Sequence, residues 1–215
     1  LGNLHDFSPE RDSVPLTRLS ELDRFILHKH NRLIERVRKA YEEYEFHVVF
    51  HSLLNFCAVD LSAFYFDILK DCLYTSRKDS PERKGSQTVL YRLLRDMARL
   101  MAPILSFTAE EVWRYIPGSR EESVFLAGFP DVKKEEVDDE LEKRWMQLLE
   151  IRAEVYKALE YARKEKKMIR SSLEAGVNLS APPDLTRFLK EYEGFLRYLF
   201  IVSQVSLDAQ KTPTE

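Results

Sequence analysis

Residues 46–73 read FHVVFHSLLNFCAVDLSAFYFDILKDCL, and this stretch decides the fold because it is apolar almost all round. Apolar residues on two sides of one helix are typical of a rod at the centre of a helical assembly. Asn55, Asp60 and Asp67 interrupt the stretch, and no apolar run in the chain approaches the length of a membrane span. We therefore predict a long, buried central helix and no membrane partner.

The segment before this rod is amphipathic. Its apolar residues recur at helical spacing from Leu22 to Tyr44, and Ser20 offers an N-cap. We predict a first helix from about Glu21 to Tyr44. Residues 1–18 contain turn formers with Pro9 and Pro15, which predicts an extended lead-in.

Three further helices are predicted after the rod. The third runs from about Ser86 to Met101 and stops before a proline. A short fourth helix covers Ala109 to Tyr115 with Thr108 as its N-cap. The fifth begins in the acidic run 131–143 and ends in the basic cluster 163–167, as the helix dipole favours.

The last third of the chain changes character. Leu173–Leu179 and Phe200–Leu207 alternate and are rich in Val and Ile, which predicts two short strands, with a helix between them starting at Pro182-Pro183-Asp184. The fold class is therefore mainly α, a helical bundle with a small C-terminal α/β appendage.

Composition excludes several classes of function. The six glycines are isolated, so no Gly-rich phosphate loop is present. Cys57 and Cys72 form no CxxC pair, which argues against a zinc module and a disulfide framework and favours reduced thiols in a cytoplasmic protein. The first residues do not resemble a signal peptide. The net charge of −3 does not by itself indicate a nucleic-acid partner.

Catalytic and metal sites find little support. His47 and His51 are four residues apart on one helix, the spacing of a metal-binding pair, but no third ligand is evident. Two polar residues on one helix face explain them better. No serine or threonine lies in a nucleophile elbow. We predict neither a catalytic residue nor a metal ligand in this chain.

Two basic stretches remain, at residues 24–39 and 77–99. Clustered cations bind phosphates, and an aromatic ring stacks on an unpaired base. The candidate RNA-binding residues are the phosphate binders Arg32, Arg36 and Lys39, the stacking residue Phe46, and Arg77, Arg83 and Lys84. The alternative is a solvated helix face beside core aromatics, and the residues alone slightly favour that alternative.

An ordered set of segments resembles the isoleucyl-tRNA synthetases of bacterial type, a family of class I aminoacyl-tRNA synthetases. The segments are LGNLHDF (1–7), ELDR (21–24), YEFH (44–47), NFCAVDLSAFY (55–65), DILKD (67–71), LYT (73–75), DSPER (79–83), QTVLY (87–91), APILSFTAEEVW (102–113), ESVFL (122–126), SSLEA (171–175) and IVSQV (201–205). The valine, leucine and methionine relatives share the bundle, but SFT at 106–108 is similar to the isoleucine type.

The resemblance implies the anticodon-binding domain of an ATP-dependent isoleucine–tRNA ligase without its catalytic core. It implies a linker at 1–20, the bundle at 21–130, and a long helix with an α/β junction at 131–215. Asp60, Glu110 and Trp113 are then expected to hold the bundle together.

The expected partner is isoleucine tRNA, bound by a monomer in the cytoplasm. Isoleucine and ATP with Mg²⁺, and zinc as a further candidate, would bind only other parts of a longer parent, so no cofactor is expected here. Two alternatives stay open: the same module of a valyl- or leucyl-tRNA synthetase, and a helical protein-interaction domain that binds no RNA.

Overall fold

The computed structural model describes residues 1–209, with Ala209 described by its backbone alone. The end of the predicted junction region, 210–215, lies outside the described residues. Contacts divide the chain into one compact unit at Leu1–Glu142 and a second from Lys143 onward. The domain boundaries predicted from the sequence stay predictions.

All the regular secondary structure of the first unit, residues 1–142, is helical. They are α1 Pro9–Asp12, α2 Glu21–Glu42, α3 Phe46–Asn55, a π-helical segment Phe56–Tyr65, α4 Phe66–Thr75, α5 Pro81–Met101 and α6 Ser106–Arg114. Short 3-10 turns lie at Gly2–Leu4, Leu16–Arg18, Val124–Leu126 and Lys134–Glu136. This architecture confirms the mainly α fold class.

Helix α2 forms where the sequence predicts it. The Ser20 hydroxyl accepts a hydrogen bond from the Asp23 backbone N–H at 3.1 Å, which satisfies a free donor of the first turn. Its apolar face buries Phe25, Ile26 and Val37, and the helix packs against α3 and α5. The chain then turns at Tyr44, whose φ of 58° is in the left-handed region and ends the helix.

The rod at 46–75 is continuous, but its burial is one-sided. Val49, Leu53 and Phe56 are buried, whereas Phe46, Phe50 and Leu54 are exposed. The prediction of a helix buried on all sides is therefore wrong. Because the stretch is apolar on two sides, its sequence does not reveal which side meets α2. Its middle adopts π-helical turns, which hold more residues than α turns.

The length of this rod contradicts the prediction that no apolar run in the chain approaches a membrane span. Among residues 1–209, Phe46–Thr75 is the one helix long and apolar enough to cross a membrane by length and composition. A core helix of a soluble protein passes the same test, so the finding is weak evidence for a membrane. The absence of a membrane partner stays a prediction.

The N-terminal residues pack against α5 and are not the extended lead-in that the prolines predict. Leu4, Phe7 and Leu19 are buried, and Phe7 packs 5.8 Å from the ring of Tyr91. Helix α5 itself begins at Pro81, five residues before the predicted start, because the Ser80 hydroxyl caps it by accepting from the Arg83 N–H at 3.3 Å.

The structure confirms the three residues expected to hold the bundle together. Trp113 is fully buried on α6. Glu110 accepts hydrogen bonds from the Ser123 hydroxyl at 2.9 Å and the Val124 N–H at 3.0 Å. Asp60 pairs with Lys29 at 2.8 Å. Helix α6 starts three residues earlier than predicted, so Thr108 lies inside it and is not its N-cap.

In the second part of the chain, the predicted α/β appendage is confirmed with shifted bounds. Helix α7 is Asp139–Lys164, and β1 Gly176–Ala181, α8 Pro183–Lys190, α9 Glu193–Phe200 and β2 Gln204–Ala209 follow. The strands pair in parallel, from Gly176 opposite Gln204 to Ala181 opposite Ala209. Parallel neighbours require a crossover, which α8 and α9 provide.

Candidate nucleic-acid interface

The basic residues of α5 are used inside the protein. Arg83 is only 7% exposed, and its guanidinium holds Asp6 through Nη1 at 2.8 Å and Nη2 at 3.1 Å. Lys84 pairs with Asp12 at 3.1 Å. The predicted RNA contact of these two cations is not supported, because their donors already satisfy carboxylates from the N-terminal segment.

Further along α5 the same pattern continues. Arg92 forms an ion pair with the buried Glu136. Arg99 donates to the carbonyls of Ala127, Gly128 and Phe129 at 2.8 to 2.9 Å. These four cations of the second basic stretch therefore stabilise the unit and do not form one shared RNA-binding side with those of α2.

The remaining cluster of basic residues lies on α2. Lys29, Arg32 and Arg36 follow each other at helical spacing and line a groove between α2 and α3 with a volume of about 390 Å³. The opposite wall consists of the α3 residues His51, Ser52 and Asn55, followed by Phe56 and Asp60. Within this lining three cations face one carboxylate, so the groove is suited to an anionic ligand.

The three cations differ in availability. Lys29 is neutralised by Asp60, and Arg32 pairs with Asp139 at 2.6 Å and Glu35 at 3.5 Å. Arg36 is exposed, and within residues 1–209 its side chain has no hydrogen-bond or ionic partner. Arg36 is therefore the cation in the groove that is free to bind a phosphate.

An aromatic stripe runs beside the groove on the outer side of α3. Phe46 and Phe50 are 51% and 54% exposed. The Phe50 ring lies 5.2 Å from that of His51, which connects the stripe to the groove lining. Tyr44 at the preceding corner is 80% exposed and lies 6.4 Å from the Phe46 ring. These rings are accessible platforms for unpaired bases.

The other predicted candidates lie outside the groove lining. Lys39 is exposed near the end of α2 and lies 3.8 Å from Glu43. Arg77 is exposed between α4 and α5 and lies 3.3 Å from Asp79. Their roles in RNA binding stay predictions. Such exposed pairs contribute little energy.

Sequence reasoning missed five residues that take part in the argument for this site: Lys29, Phe50, His51, Ser52 and Asn55. Their positions at α2–α3 contacts or on the outward side of α3 depend on which side of the apolar rod is buried. The spacing of Lys29, three residues before Arg32, is the one signal that the sequence offered.

A cluster of possible metal ligands lies close by, formed by His28, Asp139 and Glu142. The Nδ1 atom of His28 accepts a hydrogen bond from the Asp138 N–H at 2.9 Å. A neutral ring that accepts at Nδ1 carries its proton on Nε2, which lies 3.2 Å from Glu142. That nitrogen then has no lone pair for a metal ion, so the cluster is not suited to bind one through His28.

His30, one turn from the groove, gives a testable pH dependence. It is buried beside Phe56, and burial together with the charges of Arg92 and Lys133 lowers its pKa to about 3. The unfolded chain, with an ordinary histidine pKa of 6.5, binds this proton more readily. The stabilising contribution is thus complete above pH 6.5 and is lost as the pH falls toward 3.

We expect the His30→Gln variant to lose this dependence. Between about pH 6 and pH 4.5, the free energy of unfolding of the unchanged chain should fall relative to that of the variant by roughly 1.4 kcal/mol per pH unit. Urea titrations at several pH values measure the difference. Asp96, whose carboxylate lies 4.0 Å from His30, is present in both proteins. Its own contribution to the pH dependence of stability therefore largely cancels in the comparison. Parallel pH curves would contradict the assignment.

Comparisons with known proteins identify the family of the chain. A family model described as the anticodon-binding domain of tRNA ligase matches residues 23–177. An isoleucine–tRNA ligase of Natranaerobius thermophilus is 48% identical over 215 residues, which is 100% of this chain and 23% of that protein. Those of Geobacter sulfurreducens and Syntrophotalea carbinolica are each 52% identical over 96% of this chain and 22% of their own length. The chain thus spans less than a quarter of these curated relatives.

Proposed function

The chain belongs to the family of anticodon-binding domains of tRNA ligases, and from this premise we propose that it binds the anticodon stem-loop of an isoleucine tRNA. The observation that carries the proposal is the α2–α3 groove, which the unpaired Arg36 lines and which the exposed aromatic stripe of α3 borders through the contact of Phe50 with His51. The identity to isoleucine–tRNA ligases over the whole chain supports the choice of tRNA.

The groove supplies the two kinds of contact that a single-stranded loop requires. Cations follow the phosphates of the backbone, and exposed rings stack on bases that are not paired. The bases of an A-form stem are closed to side chains, whereas loop bases can turn outward. A stem-loop therefore matches a surface on which cations and rings are adjacent better than a regular duplex does.

The chemistry of the parent enzyme is part of the same proposal. A longer isoleucine–tRNA ligase would couple isoleucine to its tRNA with ATP and Mg²⁺, and zinc is a further candidate cofactor. These steps would involve residues outside the α2–α3 groove. We further propose that the protein acts as a monomer in the cytoplasm. The relatives do not favour the valyl, leucyl or protein-interaction alternatives.

Arg36→Gln tests the proposal. We expect affinity for an isoleucine-tRNA anticodon hairpin to fall about tenfold, which corresponds to about 1.4 kcal/mol, because one charge-assisted contact is lost. The slope of log affinity against log salt should decrease by roughly 0.7, the value for one phosphate contact in single-stranded RNA. Fluorescence anisotropy at four salt concentrations measures both quantities.

Arg114→Gln is the matched control. Arg114 is exposed on α6, away from the groove, and lies 3.7 Å from Glu110 as an exposed helix pair. Its loss should change neither affinity nor slope. Equal effects of the two substitutions would indicate a general charge effect, and the absence of hairpin binding by the unchanged chain at low salt would overturn the proposed function.

A further inference from the structure

The α3 wall of the groove contains a polar group without a partner among the described residues. The Ser52 hydroxyl belongs to a residue only 9% exposed, lines the groove, and has no hydrogen-bond partner in the part of the chain that the structure describes. Buried polar atoms are nearly always satisfied, so such an orphan indicates a missing ligand or water.

The groups around Ser52 share this lack of partners. The Asn55 amide, one turn further along α3, and the His51 ring are exposed; neither has a hydrogen-bond or ionic partner among residues 1–209, and both line the same groove. Arg36, likewise unpaired, belongs to the opposite wall. The remaining cations, Lys29 and Arg32, are held by carboxylates. The free groups are therefore one strong cation and several neutral donors and acceptors.

Apolar surface completes the lining. Leu33 and Phe56 are buried residues of the groove, so its walls combine an apolar part with a few polar groups. A volume of about 390 Å³ lies within the range of small-ligand pockets. A simple inorganic anion would use Arg36 and leave the amide, the hydroxyl and the apolar wall without a role. A planar polar ring that carries a phosphate would use all of them.

We propose that the groove holds one unpaired nucleotide of the bound RNA, with its phosphate on Arg36 and the edge of its base on Ser52 and Asn55. The inference rests on the proposed function and deepens it, because it assigns base reading to groups distinct from the stacking stripe. An amide and a hydroxyl both donate and accept, so together they recognise a base edge by complementary hydrogen bonds. His51 provides a further donor at the rim.

Abasic substitution in the hairpin tests the assignment. Each loop position is replaced in turn by an abasic nucleotide, and affinity is measured for the unchanged chain and for the double variant Ser52→Ala/Asn55→Ala. We expect one loop position at which loss of the base weakens the unchanged chain about tenfold, and the double variant should show a similar loss with the intact hairpin. At that loop position, the double variant with the abasic hairpin should lose no more affinity than either change causes alone.

The controls separate a local loss from a general one. Gln147→Ala removes an exposed amide on α7 and should leave affinity unchanged. The salt slope of Ser52→Ala/Asn55→Ala should equal that of the unchanged chain, because no phosphate contact is lost. Its stability should be unchanged or higher, since the orphan hydroxyl is gone.

Failure of this inference differs from failure of the proposed function. If the two losses multiply at every loop position, or if no abasic position weakens binding, the nucleotide pocket is wrong while Arg36-dependent hairpin binding still stands. Free 5′-monophosphates of the four nucleosides should compete far more weakly than the hairpin. Competition as strong as that of the hairpin would assign the groove to free nucleotides and overturn the proposal. No hairpin binding at all overturns both.

Discussion

Replacement of Arg83 with methionine is expected to lower the free energy of unfolding by about 3–5 kcal/mol. The guanidinium is 7% exposed, forks onto Asp6, and donates through Nε to the Leu73 carbonyl at 3.3 Å. Methionine fills a similar volume but leaves the Asp6 carboxylate with Gln87 as its side-chain hydrogen-bond partner at 2.8 Å. Guanidinium titrations followed by circular dichroism measure the loss.

The pH dependence of the same variant supplies a second measurement. Hydrogen bonds from Arg83, and then from Gln87, hold the pKa of Asp6 well below its ordinary value. This carboxylate therefore adds stability above its unfolded pKa of 3.8, and the contribution is lost as the pH falls further. In the Arg83→Met variant, the free energy of unfolding should therefore decline less steeply below about pH 4 than in the unchanged chain.

Two comparisons isolate the cause. Arg77→Met removes an arginine whose side chain is 85% exposed and pairs with Asp79 at 3.3 Å, so it should cost less than about 0.5 kcal/mol. Asp6→Leu combined with Arg83→Met removes both charges and should recover much of the loss. Equal effects of Arg77→Met and Arg83→Met would contradict a structural role for the buried pair.

A comparable loss, about 3–5 kcal/mol, is expected for Trp113→Ala. Trp113 is fully buried at the centre of a small cluster, and its indole Nε1 donates to the Glu121 carbonyl at 2.9 Å. Truncation leaves a cavity and an unpaired carbonyl. The other buried residues of the cluster are Ala98, Ala102, Ala109, Ile116 and Val124. Three of these are alanines, which are too short to fill the space.

The neighbouring Phe107 on α6 provides the matched control. It is 93% exposed, so Phe107→Ala should change stability by less than about 0.5 kcal/mol. Trp113→Phe should show an intermediate loss, because it keeps an aromatic ring and removes the hydrogen bond. If Trp113→Ala unfolds at the same denaturant concentration as the unchanged chain, the cluster does not support α6 as argued here.

Local patterns in the sequence were sufficient for most of the helices. The stripe from Leu22 to Val37 and the cap at Ser20 predicted α2, and alternation with Val and Ile predicted the two strands near their observed places. Both signals are local, because they depend on residues within a few positions of each other.

The roles of the cations depended on distant partners. Arg83 meets Asp6, which is 77 residues away, and Lys84 meets Asp12, so neither pairing can be read from neighbouring residues. Arg36 and Arg83 look equivalent in the sequence, yet one is free and the other buried. The nucleotide-sized groove could not be predicted from the sequence either, because its polar α3 wall depends on which side of an apolar rod faces α2.

The π-helical turns at Phe56–Tyr65 also set the orientation of the rod's two ends. In a uniform α-helix each residue advances by about 100°, so Phe46 and Phe66, twenty positions apart, would point in roughly opposite directions. Wider turns rotate the far end back. The outward rows Phe46–Phe50–Leu54 and Phe66–Lys70–Tyr74 are thereby brought angularly closer. The number of residues between the two rows thus fixes the angle between them about the helix axis. An insertion or deletion there would rotate one row away from the other.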